Sequence, residues 1–107
     1  MWSGMLPTGS VVLIEGLDIP VLIIGLCQVR LSDETPDRVF DYSGVSAVAG
    51  LTTPDEMIRF DRDVIKQVLH IGYINENIVA YLEETERVMQ GLRDGSLTME
   101  ELLSEQE

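Results

Sequence analysis

Val21-Leu-Ile-Ile-Gly-Leu-Cys-Gln-Val29 is apolar at nearly every position, as expected of a central strand covered on both faces. Upstream, Ser10-Val-Val-Leu-Ile14 reads as another strand, entered through Pro7-Thr-Gly9. Residues 16–20 form the turn between the two, with Gly16 and Asp18 as its punctuation. Downstream, Ser32-Asp-Glu-Thr-Pro-Asp37 reads as a polar loop. Val39-Phe-Asp-Tyr-Ser-Gly-Val45 then alternates, placing Phe40 and Tyr42 on one face and Asp41 and Ser43 on the other. Gly44 is expected in a turn at positive φ. Residues 46–54 are small and Gly-containing, hence a loop, and Met57-Ile-Arg-Phe60 is a short strand. Asp61 and Asp63 are placed to cap a helical turn over residues 62–66, because Asp side chains accept from the free N–H groups of a first turn. Val68-Leu-His-Ile-Gly-Tyr73 supplies the last strand. Five short strands with one helical turn before the fifth predict an α+β chain built on a small, SH3-like, partly open antiparallel β-barrel.

The texture changes at residue 75. From there Glu, Leu and Met dominate, and Ile78, Leu82, Thr85, Met89 and Leu92 recur at spacings of four and three. That is the stripe of an amphipathic helix. Val79, Tyr81 and Val88 widen the stripe, while Glu83, Glu84, Glu86 and Arg87 lie mostly outside it. Asn75 or Asn77 can cap the start, and Gly91 or Gly95 can end the helix. Thr98-Met-Glu-Glu101 has the spacing of a capping box and opens a short terminal helix. The expected organisation is a β-barrel domain over residues 1–74 and a helical segment over residues 75–107. That segment either packs on the barrel or serves as a partner-binding arm.

A length of 107 residues leaves room for one domain, and 45% hydrophobic with 24% charged residues is ordinary for a globular chain. The charge balance is not ordinary. Nineteen acids against seven bases give −12 at pH 7. Such a chain repels phosphate backbones and anionic lipid surfaces, so neither nucleic acid nor membrane is an expected partner. The longest apolar stretch, residues 17–26, contains Asp18 and Pro20 and falls short of the ~20 residues of a membrane helix. The first charge is Glu15, so no basic signal-peptide start is read. Cys27, the lone cysteine, reads as a small buried hydrophobe in a reduced, cytoplasmic protein.

No set of residues has the spacing that catalysis requires. His70 is the only histidine and sits at mid-strand, where a structural or partner-facing role is expected. There is no Gly-x-Ser-x-Gly elbow, no Gly-rich phosphate loop and no Cys/His set for zinc. Asp61 and Asp63 offer too few oxygens for calcium, which takes about six to eight. Neither enzyme activity nor a cofactor nor a metal is expected. The acidity reads either as solubility or as steering toward a basic protein.

Five pieces, in order, carry a resemblance. They are Leu6-Pro-Thr-Gly-Ser-Val-Val-Leu13, Val21-Leu-Ile-Ile-Gly25, Phe40-Asp-Tyr-Ser-Gly44, the stretch from Phe60 to Val68, and His70-Ile-Gly-Tyr73. Together they resemble a family of small Gram-positive bacterial proteins known as domain of unknown function 4176. The chain departs from that pattern twice. Val45-Ser-Ala-Val-Ala49 stands where the family commonly has an aromatic, Gly- and Pro-containing segment, and Gly25-Leu26 stands where it has Gly-Arg.

The resemblance implies an accessory protein of type VII secretion. It would be a cytoplasmic adaptor or chaperone that holds a toxin with an N-terminal Leu-x-Gly (LXG) domain before export. The alternative is an immunity protein that neutralises a cognate toxin domain. The partner would be a basic region of the toxin. The residues expected to meet it are Tyr42, the apolar anchors Tyr81, Leu82 and Met89, and the steering charges Glu83, Glu84 and Glu86.

Overall fold

The computed structural model describes residues 4–32 and 35–95. Five strands are present: β1 (Val11–Ile14), β2 (Val21–Ser32), β3 (Thr35–Ser46), β4 (Ile58–Phe60) and β5 (Ile65–His70). All pairings are antiparallel, in the order β4-β3-β2-β1-β5, so β4 and β5 are the two edges of an open sheet. One helix, α1 (Glu76–Asp94), follows. The small α+β architecture read from the sequence is the one the chain adopts; the terminal capping box at Thr98 and Glu101 lies outside the described residues.

Burial follows the pleat on the first two strands. Val12, Ile14, Val21 and Ile23 are buried, whereas Ile24 is 42% exposed. Strand β2 is therefore covered on one face here, not on both as its composition suggested. Strand β3 is the one enclosed on both sides: Asp41 and Ser43 are as inaccessible as Phe40 and Tyr42. The polar loop expected over residues 32–37 is also shorter. β2 runs to Ser32, β3 resumes at Thr35, and Ser32 pairs with Thr35 across the hairpin.

Gly44 is not a turn residue. It sits within β3, opposite Ile23 and Ile58. A Cβ there would lie 2.5 Å from Val21 Cγ1 and 2.8 Å from the Leu22 carbonyl oxygen, so close approach explains the glycine. The turn falls further on, where the Ser46 hydroxyl accepts from the Val48 and Ala49 N–H groups.

The segment after β4 also differs. A single 3-10 turn covers Arg62–Val64, and β5 begins at Ile65, three residues ahead of the expected strand. Asp61 stands at the N-cap position, but its side chain makes no capping hydrogen bond. Its Oδ1 accepts instead from the Asp41 N–H at 3.0 Å. Pairing to β1 sets the new boundary, because Ile65 lies opposite Ile14 and Val68 opposite Val12.

Helix α1 has the ends its sequence offered. Asn75 Oδ1 accepts from the Ile78 N–H at 2.8 Å, and Gly95 closes the helix at φ 85°. Of the predicted stripe, Leu82, Thr85 and Met89 are buried and Ile78 packs against them. Leu82 and Met89 share one core with Leu6, Val12, Ile23, Tyr42 and Phe60, so the helix packs on the sheet. Val79 and Tyr81 face outward.

Candidate functional site

The pieces that carried the family resemblance meet in space, although dozens of residues separate them. The Leu6 N–H donates to the Tyr42 hydroxyl at 2.9 Å, tying the first piece to the third. The Gly72 N–H donates to the buried Ser10 hydroxyl at 3.0 Å, tying the first to the last. Gly72 has no room for a side chain: a Cβ would stand 2.2 Å from the Thr8 carbonyl oxygen. The Tyr42 and Phe60 rings pack at 5.6 Å between centroids, tying the third to the fourth.

At the centre of this arrangement lies a charged junction. Asp41 is fully buried on β3. Its Oδ2 accepts from the Arg62 N–H at 2.8 Å and from Arg62 Nε at 3.2 Å, and its Oδ1 accepts from Arg62 Nη2 at 3.2 Å. Arg93 Nη2, from the last turn of α1, stands 3.0 Å from the same carboxylate and 3.2 Å from Asp61 Oδ1. Arg62 in turn reaches α1, its Nη1 and Nη2 donating to the two Glu86 oxygens at 2.9 and 2.8 Å. Two arginines and three carboxylates thus join the strand, the 3-10 turn and the helix.

Burial pushes the Asp41 carboxyl up, but the Arg62 hydrogen bonds and the charges of Arg62 and Arg93 outweigh it and leave it below its ordinary value. Arg62 is raised further above its usual range, chiefly by its bonds to Glu86. Burial raises the Tyr42 hydroxyl. It also raises the thiol of Cys27, which is half-buried and holds φ at 52° within β2.

The residues expected to meet a partner are divided by this packing. Tyr42, Leu82 and Met89 are in the core. Glu86 is taken up by Arg62. Tyr81, 62% exposed, and Glu83 and Glu84 remain on the outer face of α1, where Glu84 pairs with Arg87. That pairing lowers the Glu84 carboxyl below its ordinary value. His70 is exposed at the end of β5. Among the described residues no three His, Cys, Asp or Glu side chains group as metal ligands would, and no helix is long and apolar enough to cross a membrane. The junction itself escaped the sequence reading. Only the Asp-Arg pair at residues 61–62 and an acid on an otherwise apolar strand hinted at it.

An open antiparallel sheet joined to one helix through partly buried ion pairs defines a small α+β domain with a charged centre. The chain belongs to the family described as domain of unknown function (DUF4176), whose model matches residues 5–80. That match takes in the whole sheet, Asp41 and Arg62, and ends just before Tyr81. No curated protein and no solved structure matches the chain.

Proposed function

We propose that this protein is a cytoplasmic adaptor or chaperone of type VII secretion that binds an LXG toxin before export. Membership of the family supports the reading, together with the accessory role that the resemblance implies. The outer face of α1 supports it, because it presents an exposed aromatic ring beside exposed carboxylates in a chain of net charge −12. Tyr81 would anchor the partner, and Glu83 and Glu84 would steer a basic toxin region toward it. The chain would work as a binding protein without catalysis of its own.

The test is to express the chain with its cognate toxin in the producing bacterium. Co-purification with the toxin is expected, and secretion of the toxin should stop when the chain is deleted while the producer stays alive. A deletion strain that secretes normally and dies of its own toxin would instead identify an immunity protein.

A further inference from the structure

β5 is the last strand of the sheet, so one side of its backbone has no strand beside it among the described residues. A groove of about 1010 Å³ lies along it, and its wall includes every residue from 65 to 71 in succession. Side chains of a strand alternate between faces, so a wall that takes in successive residues runs along the strand, and Gly4, Leu6, Tyr42 and Arg62 complete it. At ~3.3 Å per residue it is long enough for about seven residues of extended chain. Its apolar contacts are unspent: Val68, Leu69 and Ile71 are 39, 45 and 38% exposed. Besides Tyr42 and His70, its ionisable lining is Lys66 and Arg62, the latter already held by Asp41 and Glu86, with no carboxylate in a chain that has nineteen acids.

We propose that this groove docks an extended segment of a protein partner, with apolar residues alternating with acidic ones, as a sixth strand beside β5. Main-chain hydrogen bonds would hold such a segment, and alternate side chains would select it. A second copy of this chain fits poorly. Paired β5 strands would set Lys66 against the basic groups of the other copy, and two chains of charge −12 repel. β5 also skips residues in its pairing with β1, at Lys66 and at Leu69. Such bulges blunt an edge against indiscriminate pairing. The groove and the outer face of α1 differ in sign and would select different segments. The inference rests on the reading of the chain as a protein-binding module, but not on which protein it binds.

The experiment screens the full chain against a displayed library of random peptides of about ten residues, enough to span β5. Enriched peptides should alternate apolar with acidic residues. In their complexes the amides of Ile65–His70 should exchange more slowly, and the chain should stay monomeric by light scattering. Lys66→Glu and Leu69→Asp should each weaken binding about tenfold or more with unchanged melting temperature. The proposal is overturned if no peptide is enriched, if the β5 amides are unaffected, or if Lys66→Glu binds as well as the parent. A dimer that Lys66→Glu or Leu69→Asp dissolves would overturn it too, by making the occupant a second copy. Toxin capture that leaves the β5 amides unprotected sinks the groove and spares the adaptor reading. Peptide docking without a toxin complex does the reverse.

Discussion

Arg62 clasps Glu86 through both terminal nitrogens, at 2.9 and 2.8 Å, while its Nε and backbone N–H hold the buried Asp41. A residue of the 3-10 turn thereby fastens the helix to the middle of the sheet. Asp41 has no other route to burial, because an unpaired carboxylate in the interior would cost several kcal/mol.

Arg62→Met should therefore destabilise the fold by about 3 kcal/mol, the low end for a broken buried pair because Arg62 is itself partly exposed. Glu86→Gln keeps one acceptor for Arg62 and leaves Asp41 paired, so it should cost less, about 1 kcal/mol. Urea unfolding of the two variants side by side checks the order. Equal losses would show that the Glu86 arm matters as much as the buried one.

Stability should be flat across the middle of the pH range and fall at both ends. Asp41 is depressed in the fold, so its contribution is full above its ordinary value of 3.8 and is lost as pH falls through the lower folded value. Cys27 and Tyr42 are raised, so their contributions are full below 9.0 and 10.0 and are lost as pH rises through the folded values. Thermal melts across the pH range should show Tyr42→Phe removing part of the alkaline loss. An unchanged alkaline limb would exclude Tyr42 as its source.

Gly44→Val and Gly72→Ala should both impair folding, though for reasons other than backbone angle. The new Cβ at residue 44 meets Val21 and backbone, and at residue 72 it meets the Thr8 carbonyl. Overpacking of this kind costs about 1–3 kcal/mol where neighbours can shift and more where they are backbone. Gly72→Ala should be the more severe by melting temperature or soluble yield.

The two neighbours Tyr81 and Leu82 should separate binding from folding. Leu82→Asp replaces a core side chain and should lose at least about 3 kcal/mol. Tyr81→Ala should stay within about 0.5 kcal/mol of the parent while weakening toxin capture. Glu83→Lys with Glu84→Lys should slow association without unfolding the domain, and the parent's association rate should drop as salt rises from ~0.05 to ~0.5 M. Glu86 is left intact in that variant, since reversing it would set a cation against Arg62.

Much of this fold was written locally. Alternation in Val11–Ile14, the Asn75 cap, the Gly95 stop and the Leu82–Thr85–Met89 stripe are each set by neighbours within a few positions, and each formed at a position the sequence offered. Strand ends were less legible. β5 starts at Ile65 because Ile14 and Val12 of β1 are its partners, which nothing between residues 62 and 73 records.

Periodicity, capping chemistry and charge are local or additive, so the α+β class, the capped helix over Glu76–Asp94 and the acidity were legible in the residues themselves. Tertiary structure alone decided which polar groups are interior. Asp41 reads as the outer face of an alternating strand, yet it is buried, since Arg62 and Arg93 arrive from 21 and 52 positions downstream to neutralise it. The same packing moved Tyr42, Leu82 and Met89 into the core and left Tyr81, Glu83 and Glu84 outside. Burial depends on what the rest of the chain places alongside a residue, and long-range pairing of charge and shape sets that, not sequence spacing.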